Sequence, residues 1–356
     1  MPLSAVDVIN PAFERMKHSL FRPFRLRQWF RWALVGLFAG EIGQSSGCTA
    51  RFPLEMLNTQ IPREPGPIWP DRSPLFFAGL ALVVVLGVVL VIILTYVSSR
   101  MRFVLFDGVV DGECRIRHSW NRRGGPAFRY FLFQLLVSAA GLLSIAVLFG
   151  LPLLLALRLG WLGNPAAHLL PLVLGAVLLF FLFFGVVIAM LLVHVLTKDF
   201  VVPQMAIDDV SVSTGWAHLW SLIKANMATY AGYIGMKILL AIAASVIVGI
   251  AGMLIFMILL IPFGGLGLVA VFAGQAAGIG WNPVTIAIAI VYGALCFLLF
   301  FVLACLASVP AVFFFPAYAT YFFAERYPAL HALLYPPPPL TDLSNPSPQP
   351  LPDAPA

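Results

Sequence analysis

Charged residues are scarce in this chain: Asp, Glu, Lys and Arg together make up 10% of its 356 residues, whereas 61% are hydrophobic. Between residues 75 and 324 there are five apolar stretches of at least 20 residues, and nearly every charge lies in the segments that join them. The mean hydropathy of +0.96 excludes a water-soluble surface. The sequence therefore indicates a polytopic membrane protein, because about 20 residues of helix cross a hydrocarbon core of about 30 Å.

Cysteine is also scarce, and its positions exclude two common kinds of site. The four cysteines, Cys48, Cys114, Cys296 and Cys305, include no CxxC pair, so neither a disulfide framework nor a zinc site is expected. Carboxylates and histidines do not gather into a catalytic or cofactor motif either. We therefore expect no cofactor, no bound metal and no catalytic residue, and an enzymatic role is not favoured.

Six membrane-spanning helices are predicted from the apolar stretches and the charges between them. The first is the weakest, since Glu41 and Gln44 interrupt it. It is nevertheless required, because the N-terminal segment and residues 99–125 are both rich in arginine and should face the same, cytoplasmic side. The predicted spans are 32–50, 75–97, 128–157, 169–197, 238–262 and 283–309.

The charge distribution also sets the predicted orientation. The outer connecting segments, 49–74, 158–168 and 263–282, hold four arginines and no lysine, whereas the inner segments hold nearly all other basic residues. Both termini are therefore predicted to lie in the cytoplasm. The basic excess is explained by topology, so a nucleic-acid partner is not expected.

An internal repeat is indicated by a short motif in the inner segments. A Phe-Val pair followed by aspartate seven residues after the valine occurs at Phe103-Val104 and again at Phe200-Val201, each time ahead of a tryptophan-bearing segment. We interpret the fold as an all-α six-span bundle of three parallel two-helix units, each with a cytoplasmic interfacial amphipathic helix. Chance similarity of apolar segments is the alternative. The units are about 1–98, 99–197 and 198–335, which together form a membrane domain of residues 1–335.

Two C-terminal segments depart from this pattern. Residues 311–324 are rich in Phe and Tyr and are broken by proline, so an interfacial and a re-entrant placement are both open. Residues 336–356 contain nine prolines and are predicted to be a disordered tail, because such a composition cannot bury a core. Binding of a partner protein through this Pro-rich tail is a further hypothesis.

Three segments carry a family resemblance. The run FRPFRLRQWFRWALVGLFAG, followed by RFVLFDGVVDG and DFVVPQMAIDD, resembles a group of uncharacterised bacterial polytopic membrane proteins. These are similar to the membrane domain attached to some glycerophosphodiester phosphodiesterases. The resemblance covers about residues 10–325 and implies a helical membrane fold in a bacterial inner membrane. It supplies no catalytic residue, because the metal-binding carboxylates of those enzymes belong to a soluble domain that has no counterpart here.

The most informative polar candidates lie close to the membrane. If the first span begins near Trp32, an unbroken helix would place Glu41 about 13 Å deep, where a carboxylate must be protonated, paired or hydrated. Gln44 would share its face. Lys237 precedes the fifth span and could extend along the lipid, pair with Glu41 or bind a lipid phosphate. The structural alternative is that the first span is shifted and Glu41 reaches the outer headgroups.

The second candidate site is a cluster of basic residues on the inner side. Arg115, Arg117, Arg122 and Arg123 suit contact with anionic lipid, although topology alone would also place them there. The favoured hypothesis is a non-enzymatic membrane protein that interacts with membrane lipids or acts as a scaffold. The alternative is a transporter that uses Glu41, with Lys237, in a central cavity. The oligomeric state is not predicted.

Overall fold

The structure of the chain is a computed structural model, and it describes residues 4–22, 24–42, 74–161, 165–278, 280 and 282–335. The described residues are helical and contain no strand, which confirms the all-α prediction. Gln44 and the Pro-rich tail lie outside the described residues.

Long helices alternate with short ones along the chain. The helices are α1 (Ile9–Phe21), α2 (Leu26–Ala39), α3 (Pro74–Asp111), α4 (Ile116–Arg122), α5 (Gly124–Arg158), α6 (Leu169–Leu196), α7 (Val202–Asp208), α8 (Val212–Ala225), α9 (Met227–Leu259), α10 (Gly265–Ala276), α11 (Pro283–Ala307), α12 (Val309–Ala324) and α13 (Pro328–Leu334). Two π-helical segments, Thr197–Val201 and Leu260–Gly264, connect α6 to α7 and α9 to α10.

Five helical segments of the described residues are long and apolar enough to cross a membrane. They are Phe76–Asp111, Gly124–Arg158, Leu169–Asp208, Met227–Ala276 and Pro283–Ala324. They contain the second to sixth predicted spans, so five of those six spans are confirmed as candidate membrane helices. The predicted outer segment 263–282 contains a helix, Gly265–Ala276, where a loop was expected, and its side of the membrane stays a prediction.

The first predicted span is interrupted soon after it begins. Helix α2 ends at Ala39, and Gly40 adopts a left-handed conformation with φ of 76°. The Glu41 amide then donates to the Gly36 carbonyl at 2.9 Å, which is the hydrogen bond of a Schellman helix end. The described residues stop at 42 here, so the count of six spans and the orientation of the termini stay predictions.

The hydrophobic core lies beyond the apolar parts of the spans. None of the five apolar windows contains buried residues. The buried residues come instead from the short helices and from the ends of the long helices, in four ranges: 8–41, 99–131, 197–233 and 305–330. We call this region the packed core. The apolar surfaces of the candidate spans are therefore not covered by other described residues, whereas the buried residues form a globular unit.

Residues 311–324 form the centre of the packed core. The sequence left their placement open, and the structure shows them within α12, where Phe313, Tyr318, Phe322 and Phe323 are all 0% exposed. Aromatic side chains bury large areas and pack edge to face, which suits the junction of several helices. This segment is therefore a helix buried within the protein, while its placement relative to the membrane, interfacial or re-entrant, stays a prediction.

Close helix packing depends on two glycines. A Cβ at Gly108 would lie 2.7 Å from Cη2 of Trp32, and a Cβ at Gly36 would lie 2.5 Å from Cγ1 of Val312. The Trp32 ring also packs edge-on against Phe313, with 4.9 Å between ring centroids. The absence of side chains at these two positions allows α2 to approach both α3 and α12.

The two Phe-Val motifs occupy similar environments. Phe103 and Phe200 are both 0% exposed, and each contacts the tyrosine that opens the next long helix. The Phe103–Tyr130 centroids are 6.1 Å apart and the Phe200–Tyr230 centroids are 5.5 Å apart. These matching contacts relate the second and third units of the predicted repeat, while the repeat and its threefold organisation stay predictions.

Thiol labelling provides a test of the packed core. Cys114 is a free thiol that is 1% exposed, and burial raises its pKa to about 12. Because the thiolate is the reactive form, we expect Cys114 to react with a maleimide at least about tenfold more slowly than an exposed cysteine, and to react faster as pH rises. The measurement uses a variant in which Cys48, Cys296 and Cys305 are serine. Arg117→Cys in a background that also has Cys114→Ser is the exposed control, and equal labelling rates would contradict the fold.

Candidate functional site

The π-helical segment Thr197–Val201 places two oppositely charged residues side by side inside the packed core. Pro203 has no N–H, so the Asp199 carbonyl cannot accept the usual α-helical hydrogen bond, and the helix widens just before it. Lys198 and Asp199 are 8% and 3% exposed. They lie directly after an apolar helix of 28 residues, and each binds a different oppositely charged partner.

Lys198 binds Glu41. The Lys198 Nζ lies 2.5 Å from the Glu41 carboxylate, and both side chains are at most 5% exposed. Glu41 faces inward because the left-handed Gly40 reverses the chain at the end of α2. The sequence-based depth of Glu41 in the bilayer assumed an unbroken helix from Trp32. Because the helix ends at Ala39, that assumption does not hold.

Asp199 binds Lys237. The Lys237 ammonium contacts Asp199 Oδ2, and the Tyr233 hydroxyl donates to the same oxygen at 2.9 Å. Tyr233 and Lys237 are one turn apart on α9, so a single helix face supplies both groups. Lys237 is therefore an internal ion-pair residue that is held by Asp199, a partner that the sequence analysis did not identify.

Arg102 completes the arrangement from α3. Its side chain is 5% exposed, and its Nη2 donates to the Ala39 carbonyl at 3.1 Å. The Arg102 Nε and Nη1 have no hydrogen-bond partner among the described residues. We use the name buried charge cluster for five residues: Glu41, Arg102, Lys198, Asp199 and Lys237.

A small cavity lies within the buried charge cluster. Its volume is about 30 Å³, which is enough for about one water-sized occupant. The lining includes Glu41, Arg102, Lys198, Asp199, Pro316 and Thr320. Five elements of the chain therefore meet at this cavity: the end of α2, α3, the π-helical segment, α7 and α12.

The predicted arginine cluster is divided between surface and interior. Arg115, Arg117 and Arg122 are exposed. Arg123 instead turns inward, where it pairs with Asp107 at 3.1 Å and donates to the Ala206 carbonyl. As a contact for lipid, Arg123 is therefore the least accessible of the four arginines.

An open groove of about 570 Å³ contains two of the exposed arginines. It is lined by Arg31, Arg115, Ile116, Arg117, His118 and Trp120. Arg31 comes from α2 and donates to the Cys114 carbonyl at 3.4 Å, so tertiary packing brings it to this site. The sequence analysis missed Arg31 because it lies more than 80 residues away from the others. We call this region the basic groove.

Helix α2, which supplies Arg31 to the basic groove, also has an exposed apolar face. Phe30, Leu34 and Phe38 follow helical spacing on α2 and are 51%, 45% and 37% exposed, whereas Trp32 and Val35 on the other side are 0% exposed. Arg31 belongs to the same helix. The surface around the basic groove thus combines cationic and large apolar side chains.

Comparison with known proteins identifies a family of unknown function, DUF7544, whose model matches residues 3–333. No curated protein and no solved structure matches the chain. The family match covers nearly the whole chain, while the similarity to a phosphodiesterase-attached domain and the bacterial source stay predictions. No group of three or more His, Cys, Asp or Glu side chains in the described part of the chain could hold a metal ion.

Proposed function

This chain belongs to the DUF7544 family of unknown function, and from that premise we propose a non-enzymatic membrane protein that binds anionic lipid headgroups in its basic groove. The role would be lipid sensing or scaffolding at the inner face of the membrane. The single observation that carries the proposal is the convergence of Arg31, Arg115 and Arg117 on one open groove. Arginine suits phosphate because its planar guanidinium offers several N–H donors.

The depth of the basic groove supports this proposal. The apolar run of α3 ends at Val97, and Arg100 lies three residues further on, which is about 5 Å along the helix axis. The Arg100 Nη1 donates to the Trp120 carbonyl at 2.8 Å, and Trp120 lines the groove. Headgroup layers are about 5–8 Å thick on each side of the hydrocarbon. This distance supports a placement of the groove at the level at which lipid phosphates are found.

The exposed apolar face of α2 supports the same placement. Phe30, Leu34 and Phe38 would be unfavourable on a surface that meets only water, but they suit an interfacial helix whose neighbouring arginines meet headgroups. Arg31 connects this face to the groove. Lipid is therefore the ligand that fits both the apolar and the cationic parts of the surface.

Transport through Glu41 is the second candidate. The observation in its favour is a carboxylate–ammonium pair buried at the ends of candidate spans. We rank it lower because the cavity beside Glu41 holds about 30 Å³, which does not form a path for a substrate. Uptake into proteoliposomes that requires the Glu41 carboxylate would reverse this ranking.

Removal of two groove arginines should weaken anionic-lipid binding. We expect Arg115→Gln with Arg117→Gln to raise the dissociation constant for phosphatidylglycerol roughly ten- to thirtyfold, because each arginine near anionic lipid contributes ~1 kcal/mol. Lipid is titrated into the detergent-solubilised protein and bound lipid is counted by native mass spectrometry.

Arg122→Gln with Arg158→Gln is the matched control, because it removes the same charge from outside the groove. The control should bind phosphatidylglycerol like the unmodified chain, and phosphatidylcholine should bind weakly to all three proteins. An equal loss of binding in the control, or no preference for the anionic lipid, would refute the proposed function.

A further inference from the structure

We propose that the cavity of the buried charge cluster binds one small monovalent anion, of the size of chloride, against the guanidinium of Arg102. This inference concerns the interior of the packed core and does not depend on the basic groove. It assigns a ligand site where the proposed function assigns none.

The first support is the set of donors on Arg102. The side chain is 5% exposed and lines the cavity, and one of its N–H groups is held by the Ala39 carbonyl. Its Nε and Nη1 have no hydrogen-bond partner among the described residues. Buried donors of a charged group are costly to leave without an acceptor, so an acceptor at this place stabilises the fold.

The second support is the balance of charge. The cluster contains three cations, Arg102, Lys198 and Lys237, and two carboxylates, Glu41 and Asp199. Each carboxylate already has a lysine at contact distance, and the nearby Asp107–Arg123 pair is neutral as a whole. Within the described residues one positive charge is left over. A bound water would accept a hydrogen bond, but only an anion would also neutralise this charge.

The third support is size. A volume of about 30 Å³ accommodates one water-sized particle, and a chloride ion is of similar size. A phosphate, a sulfate or a carboxylate ligand is larger and would need the packed core to open. The cavity lining contains two cations, Arg102 and Lys198, and two carboxylates, Glu41 and Asp199, each of which is in contact with a lysine. The cavity volume therefore fits a single halide-sized anion.

Halide-dependent stability tests the inference directly. The full chain is purified in detergent with gluconate as the only anion, and chloride or bromide then replaces gluconate at constant ionic strength. We expect a saturable rise in Tm of roughly 3–6 °C with either halide and little change with sulfate. Radioactive ³⁶Cl should bind at one ion per chain, which measures occupancy independently of stability.

Three variants separate the site from general salt effects. Arg102→Gln removes the hydrogen-bond donors and the positive charge from the cavity, and Lys198→Met brings the net charge of the buried charge cluster to zero. The Tm of both variants should therefore rise by less than about 1 °C when chloride replaces gluconate. Arg129→Gln is the matched control, because Arg129 pairs with Asp209 outside the cavity, and it should keep the full shift. If Arg102→Gln does not fold, ³⁶Cl binding to the unmodified chain still shows whether the protein binds one chloride ion. Absence of saturable binding, or an equal rise in Tm with sulfate, would overturn the proposal.

Discussion

Glu41→Gln should lower the free energy of unfolding by about 3–5 kcal/mol, which is one of the two largest effects expected for this protein. The substitution conserves shape but removes one of two carboxylates from the buried charge cluster. Three cations would then face Asp199 alone, and Lys198 would lose the partner that lies 2.5 Å away. Burial leaves little water to screen the excess charge. Unfolding of the detergent-solubilised protein by sodium dodecyl sulfate measures the change.

The charge count also predicts an asymmetry between the two partners. Lys198→Met should cost less than Glu41→Gln, by at least about 1 kcal/mol, because it leaves two cations and two carboxylates and lets Arg102 neutralise Glu41. Arg102 is near enough for its charge to act on Glu41. The double variant should cost less than the sum of the single variants, since the two residues contact each other.

Lys17→Met is the matched control for these substitutions. Lys17 is half-exposed and lies 3.9 Å from Glu14, so its removal should change the free energy of unfolding by less than about 0.5 kcal/mol. A Glu41→Gln variant as stable as this control would mean that the Glu41–Lys198 pair does not form. A Lys198→Met variant less stable than Glu41→Gln would contradict the charge count.

Trp32→Ala is the second large effect, with an expected loss of about 3–5 kcal/mol in the free energy of unfolding. Trp32 is 0% exposed and fills the space between Gly108 and Phe313. Truncation to alanine would open a cavity at the contact of α2, α3 and α12. The same denaturant titration reports the loss, and thermal unfolding should show a lower Tm.

Two further substitutions make this prediction specific. The Trp32 Nε1 has no hydrogen-bond partner among the described residues, so Trp32→Phe keeps most of the ring, removes an unpaired donor and should cost less than about 1.5 kcal/mol. Trp220→Ala is the surface control, because Trp220 is 49% exposed. If Trp32→Ala costs no more than Trp220→Ala, helix α2 does not pack into the core as described.

Several features of the fold could be predicted because they depend on local sequence. The five confirmed spans follow from uninterrupted apolar runs, since length and composition alone decide whether a helix can cross a bilayer. The weakness of the first span was also visible, because Glu41 and Gln44 interrupt it. The glycine that ends α2, Gly40, was present in the sequence but was not interpreted as a helix end.

The candidate site was predictable only in part. Glu41 and Lys237 were identified because charged residues are rare near apolar runs, yet neither partner was named. Lys198 and Asp199 follow directly after the fourth span, and the Lys-Asp pair beside an apolar run was the signal that could have identified them. Arg102 gave no such signal, because it is one of many arginines in a basic segment.

The sequence by itself determined that this chain forms five helices long and apolar enough to cross a membrane, because helix length and hydrophobicity are properties of contiguous residues. Only the tertiary structure decided where the core lies and which charges meet. Lys198 and Glu41 are 157 positions apart, and Lys237 and Asp199 are brought together by a π-helical widening that no apolar pattern encodes. The physical reason is that a buried charge without an oppositely charged partner costs a large desolvation free energy, and the packing of whole helices determines which residues become partners.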